Sequence, residues 1–150
     1  MFSKVRILVA GAAVASALVL TACGGGGGGS AAGVAVDSTA GIAYVQTTLS
    51  AAANAATSVT FNNKSAGLQH NWVLVKGGDD VATTVNAAAQ ADPTDYVPDG
   101  DANIVAHTKL LNGGEKETIS VAALPAGSYT YLCTFPGHYD AGMKGVMTVQ

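Results

Sequence analysis

Charge is scarce in this chain: Asp, Glu, Lys and Arg make up 11% of its 150 residues, against 49% hydrophobic. Basic side chains are the scarcer kind, seven against ten acidic, for a formal charge of −3. Nucleic-acid binding relies on clustered Lys and Arg to neutralise phosphates, so that class of partner is excluded. Cysteine occurs only at positions 23 and 133, and histidine only at 70, 107 and 138. If Cys23 is used elsewhere, Cys133 has no partner for an internal disulfide and needs another explanation. Internal repeats are absent, and low complexity is confined to the glycines at 24–29. A chain of this length and composition makes one compact domain with a sizeable core rather than two.

Residues 1–22 read as a signal peptide. Lys4 and Arg6 give a positive start, an apolar stretch runs from Ile7 to Leu20, and small residues precede Cys23. The segment LTAC, Leu20 to Cys23, resembles the bacterial lipobox, whose cysteine is acylated and becomes the first mature residue. Glycine runs behave as flexible coil, so residues 23–33 read as a lipidated Cys23 followed by a tether, and residues 34–150 as the folded domain. A plain secretory signal or a membrane anchor accounts less well for the glycines. Processing removes Lys4 and Arg6, leaving five lysines against ten carboxylates and moving the formal charge from −3 to −5. The expected location is extracytoplasmic, on the outer face of the cell membrane.

The body reads mostly as strands. TSVTFNN, HNWVLVK, KETISVAA, GSYTYLC and GVMTVQ mix apolar and polar residues at a period near two and are rich in β-branched and aromatic types. Turn signals separate them: NNKSAG from Asn62, GGDD from Gly77, NGGE from Asn112 and LPAG from Leu124. This spacing predicts an all-β sandwich or barrel. Between Asp80 and Ile104 an alanine-rich stretch of helical propensity precedes two prolines and several aspartates, which predicts a short helix and a long loop inserted between strands. Asp79, Asp80, Asp92, Asp95, Asp99 and Asp101 fall in a stretch without Lys or Arg. Such a run is most often a solvated loop, and it can also steer a basic partner.

The stretch CTFPGHYDAGM places Cys133, His138 and Met143 five residues apart on one loop between strands. Singly, a lone cysteine or methionine is usually core filling and a lone histidine a surface residue. Together a thiolate, an imidazole and a thioether make a soft ligand set, and two histidines and a cysteine with a weak axial methionine is the blue-copper arrangement. His70, which opens HNWVLVK, is the natural second histidine. His107 lies in AHTKL, far from the loop, and is read as a surface or second-layer residue.

With those residues in place, the sequence resembles the azurin-type cupredoxins and, among them, the auracyanins of filamentous phototrophic bacteria. HNWVLVK from His70, IVAHTKLLNGGEKETISV from Ile104, and CTFPGH followed by GMKGVMTV carry the likeness. The resemblance implies a cupredoxin-type Greek-key β-sandwich holding one type 1 copper. It makes His70, Cys133 and His138 the strong ligands and Met143 the weak axial one, with Trp72 in the core. It also implies that the Asn71 side chain links the His70 segment to Thr134, while the N–H groups of Asn71 and Phe135 approach the Cys133 sulfur and tune its copper. Pro136 has no N–H to add. Two departures stand out: azurin has one residue fewer between its loop histidine and methionine, and a glycine where this chain has Gln69. The azurin disulfide is absent here.

The implied function is electron transfer without enzymatic turnover, since the four ligands leave no open position for a substrate. By the resemblance, the exit for the electron is expected at the edge of His138, within an apolar patch of Leu68, Phe135 and Ala141. Implied partners are redox proteins: cytochromes or a membrane quinol-oxidising complex on one side, a reaction centre or oxidase on the other, with no small-molecule substrate. A copper enzyme of the nitrite-reductase kind needs further histidines, and only His107 remains. A copper chaperone or storage lipoprotein is the alternative that shares this ligand set.

Overall fold

The computed structural model describes residues 33–150. The readings made above for residues 1–22, for Cys23 and for the glycine run lie outside them. Eight strands and one helix follow in the order β1 (Gly33–Asp37), β2 (Thr48–Ala51), β3 (Thr57–Asn62), β4 (Val73–Val75), α1 (Asp79–Ala89), β5 (Ile104–His107), β6 (Lys116–Val121), β7 (Gly127–Leu132) and β8 (Lys144–Val149). They form two sheets, ordered β1-β3-β6 and β2-β8-β7-β4-β5. The pairs β1–β3 and β2–β8 are parallel and the rest antiparallel. Parallel neighbours cannot be joined by a hairpin, so the chain repeatedly crosses from one sheet to the other. The result is the expected all-β sandwich with one short helix.

Alternation explains how the two sheets bury their facing sides. In β3, Thr57, Val59 and Phe61 point inward and are buried while Ser58, Thr60 and Asn62 are half-exposed. Across the interior, Trp72, Leu74, Tyr131 and Met147 of the larger sheet are fully buried in the same cluster as Val36, Val59 and Phe61. Trp72 stacks on Tyr131 with ring centroids 5.7 Å apart. Gly145 lies opposite Tyr131 in the ladder, and a Cβ there would fall 2.2 Å from the tyrosine oxygen, so the large ring requires the missing side chain.

Strand β4 is buried on both faces, which is why Val73, Leu74 and Val75 form an unbroken apolar run. Its outer face is covered by α1, whose Ala82, Val85 and Ala89 form one stripe, with Val97 and Tyr139 completing the cluster. Asp79 and Asp80 occupy the first helical turn, where carboxylates suit the positive end of the helix dipole. Two details differ from the sequence reading. GGDD is only half a turn: Gly77 supplies the left-handed residue (φ 114°) and the aspartates already belong to the helix. HNWVLVK is continuous strand only from Val73 to Val75: His70 makes an isolated bridge with Leu111, and between them the Trp72 N–H goes to the Thr108 hydroxyl instead of a carbonyl. Alternation also does not single out β1, β2 or β5, which are four or five residues long. No described helix is long and apolar enough to cross a membrane.

Candidate metal centre

The ends of several strands meet at one pole of the larger sheet. Val73 at the start of β4 pairs with His107 at the end of β5 and with Leu132 at the end of β7, which pairs in turn with Lys144 at the start of β8. His70 precedes β4 and is fixed by two backbone bonds to Leu111, of 3.1 and 2.8 Å. The loop before it is organised by the buried Asn63. Its amide donates to the carbonyls of Leu68 and Leu111, and its oxygen accepts from Ser38 Oγ, Ser65 Oγ and the Ser65 N–H. Both amide hydrogens and both oxygen lone pairs are thereby used, the oxygen being shared among three donors.

Cys133, His138 and Met143 follow β7 on a loop that closes on itself. The Cys133 N–H donates to the Met143 carbonyl, the Met143 N–H to the His138 carbonyl, and the His138 N–H to the Phe135 carbonyl, each at 3.0 Å. Gly137 (φ 78°) and Gly142 (φ 94°) take the left-handed conformation the tight path requires.

This path brings His70 Nδ1 to 3.0 Å from His138 Nδ1, and Cys133 Sγ to 3.8 Å and 3.4 Å from the same two nitrogens. All three side chains are buried and their donor atoms lie within 4.8 Å of one another. Met143 is fully buried on the same loop. Atoms so spaced can share one ion at bond lengths of about 2.0–2.3 Å. The donor set, two imidazoles and a sulfur in an apolar surround, suits copper.

The electrostatics prepare both imidazoles to act as ligands. Burial, and then the His138 ring, push His70 down to about 4, with the Gly41 backbone acting in the opposite sense. Burial lowers His138 as well. Both rings are therefore neutral near pH 7, with lone pairs free. The other ring nitrogen of His70, Nε2, is buried without a hydrogen-bond partner. Burial pushes the Cys133 thiol up to about 11, while hydrogen bonds from the Asn71 and Phe135 N–H groups pull it down. Those donors stabilise a thiolate, and a bound cation completes the stabilisation.

Around the cluster, Asn71 Oδ1 accepts the Thr134 N–H at 2.9 Å and Asn71 Nδ2 donates to Thr134 Oγ1 at 2.8 Å. The Phe135 ring lies 4.7 Å from that of His138. Sequence reasoning missed the residues that brace this link. Asn71 also donates to the Asp95 carbonyl, Thr134 donates its hydroxyl to the Tyr96 carbonyl, and Gln90 donates to the Thr134 carbonyl. Tyr96 holds a left-handed backbone (φ 57°), unusual for a non-glycine residue. Tyr44, in the loop between β1 and β2, donates its hydroxyl to the Asn71 carbonyl at 2.7 Å. These contacts are backbone-directed, so residue type alone does not announce them. His107 is exposed, with Nδ1 3.2 Å from the Thr108 carbonyl, and lies outside the cluster.

Comparison with known proteins agrees with this geometry. Residues 31–150 match the copper binding proteins of the plastocyanin/azurin family. Auracyanin-B of Chloroflexus aurantiacus is 50% identical over 111 residues, which cover 72% of this chain and 47% of that protein, so the match spans about half its length. Auracyanin-A of the same organism is 41% identical over 110 residues, covering 72% of this chain and 67% of that one. The crystal structure of dithionite-reduced auracyanin from Roseiflexus castenholzii superposes with a TM-score of 0.77 at 43% identity, covering 81% of this chain and 99% of that one. Two histidines, a cysteine and a methionine at one pole of a β-sandwich thus stand in a lineage whose common property is copper, and the chain belongs to the copper-binding plastocyanin/azurin family, the blue-copper cupredoxins.

Proposed function

We propose that this protein is a single-electron carrier in which His70, Cys133 and His138 hold one type 1 copper, with Met143 as the weak axial ligand. The observation that carries this reading is the buried convergence of two imidazole Nδ1 atoms on one cysteine sulfur. When bound, copper supplies a one-electron Cu(II)/Cu(I) couple there. The protein's part is to hold the donors still, so that little rearrangement accompanies a change of charge. Asn71 and Thr134 lock the two ligand segments together, and the surrounding core keeps water out. Two imidazoles, a thiolate and a thioether leave no position for a substrate, so the protein is a carrier and not an enzyme.

Of the four side chains only His138 reaches the surface, and by 4% of its area. Leu68 and Ala141 are exposed and Phe135 is half-buried. They form the apolar rim on which a redox partner docks over the His138 edge, a small contact suited to a brief encounter. The partners are cytochromes or a membrane quinol-oxidising complex, and a reaction centre or oxidase. Residues 1–22 are the signal peptide, and lipid on Cys23 with the following glycines tethers domain 34–150 to the outer face of the cell membrane. The test is to load the purified protein with copper and measure both electron self-exchange and copper loss to a chelator. Rapid exchange with slow loss supports a carrier; slow exchange with ready loss makes the protein a copper chaperone or store.

A further inference from the structure

The segment between His138 and Met143 belongs to no strand, since it follows β7 and precedes β8. Its backbone bonds, Ala141 N–H to Gly137 O at 3.0 Å, Gly142 N–H to Tyr139 O at 2.9 Å and Met143 N–H to His138 O at 3.0 Å, close short turns, the Met143 carbonyl accepts from Cys133, and none of them ties the loop to helix α1. Two side chains supply that tie, and each directly follows one of the two residues assigned to copper. The Tyr139 hydroxyl, after His138, donates to Asp79 Oδ1 at 2.7 Å and lies 2.9 Å from the Thr83 hydroxyl. The Lys144 ammonium, after Met143, donates to the same Asp79 Oδ1 at 2.6 Å and sits 4.8 Å above the Tyr139 ring. Tyr139 is 7% exposed and packs in the cluster beneath α1, so its hydroxyl meets the carboxylate at the edge of a buried surface.

We infer that Asp79 is a positioning residue for the metal loop: one carboxylate oxygen grips the residues after His138 and after Met143, and so anchors the loop that the Met143 N–H to His138 O bond closes against helix α1. The inference rests on the ligand assignment proposed above. It also takes Asp79 out of the acidic run that the sequence offers to a partner, because its charge is matched by Lys144. An exposed ion pair alone holds little, with a median worth of about 0–1 kcal/mol. The grip therefore depends on the tyrosine bond and the lysine acting on one oxygen together.

The test compares full-length Asp79→Ala, Tyr139→Phe and Asp80→Ala proteins with the parent. Asp80 is the control, since it removes the same charge from the same helical turn without touching the loop. Copper loss to a chelator, the electron paramagnetic resonance spectrum of the oxidised protein, and amide hydrogen exchange at Gly142 and Met143 in the copper-free protein are measured for each. Asp79→Ala is expected to speed copper loss about tenfold, in line with other residues that orient metal ligands, to alter the copper spectrum, and to speed exchange at both amides. Tyr139→Phe should move all three in the same direction by less, and it stands in for Asp79→Ala should that variant fail to fold. The inference is overturned if Asp79→Ala matches Asp80→Ala, or if it lowers only the thermal midpoint while spectrum, copper loss and loop exchange stay at parental values. A parent that takes up copper without a thiolate-to-copper band defeats the ligand assignment instead, and the hydrogen-exchange comparison still judges the grip.

Discussion

Asn71 does at the scale of a single side chain what a disulfide does elsewhere: it joins two stretches of chain 63 residues apart, accepting from and donating to Thr134 while buried. Replacing it with alanine leaves the Thr134 N–H and the Asp95 carbonyl without these partners and takes one of two bonds from the Thr134 hydroxyl, which still donates to Tyr96. A cost of about 2–3 kcal/mol follows from unsatisfied buried groups. Denaturant unfolding of copper-free Asn71→Ala protein checks this, and a change under 0.5 kcal/mol, on the order of a neutral surface substitution, counts against it. Asp37 gives a prediction in pH. Its hydrogen bond to Lys64, chiefly, and others from Asn62 and Gln46 hold its carboxyl below the ordinary 3.8, against a smaller effect of burial. A depressed carboxyl stabilises the fold above its unfolded pKa, and that contribution fades as pH falls through the lower folded value. Asp37→Asn should therefore be less stable than the parent at pH 7, with the gap closing below pH 3.8. Thermal midpoints measured across that range decide it.

At the scale of elements, the sequence was most informative where one face is buried and the other wet. The alternation of β3, β6 and β8 reads directly as strand, β7 is buried from Tyr129 to Leu132 and shows itself by its β-branched and aromatic residues instead, and the cluster of Cys133, His138 and Met143 is visible because loop ligands are close in sequence. Strand β4 shows the limit: its apolar run is clear, but which residues enter the ladder depends on Thr108 intercepting the Trp72 N–H. Strands β1 and β2 are short segments whose strand character comes from parallel partners, β3 and β8, and not from their own pattern. The insert was legible as a helix and loop, whereas its role as the brace behind Thr134 was not, because the Asp95 and Tyr96 carbonyls carry no side-chain signature. Burial on both faces of β4 makes a testable contrast. Leu74→Ala should cost about 2–5 kcal/mol, against no more than about 0.5 for the exposed Leu68→Ala. Equal effects on unfolding free energy would mean that the inward face of β4 is not packed in the core between the two sheets.

At the scale of the whole molecule, charge and placement decide what can dock. Residues 33–150 carry five lysines against ten carboxylates, and Asp80, Asp92, Asp95, Asp99 and Asp101 belong to one stretch without a basic residue. The proposed carrier should therefore meet basic redox proteins fastest at low salt. Stopped-flow oxidation by a basic cytochrome is expected to slow by about tenfold as screening sets in between 10 and 200 mM salt, where the Debye length falls from about 30 Å to below 10 Å. A rate indifferent to salt removes electrostatic steering from the account.

The electron-carrier reading depends on the Cys133 sulfur being bonded to copper, and one measurement addresses that bond: the visible spectrum of copper-loaded protein, oxidised and then reduced, beside that of Cys133→Ser. An intense blue band in the parent, bleached by reduction and missing from Cys133→Ser, is the predicted result. A pale parent, or a band that survives in Cys133→Ser, contradicts the account.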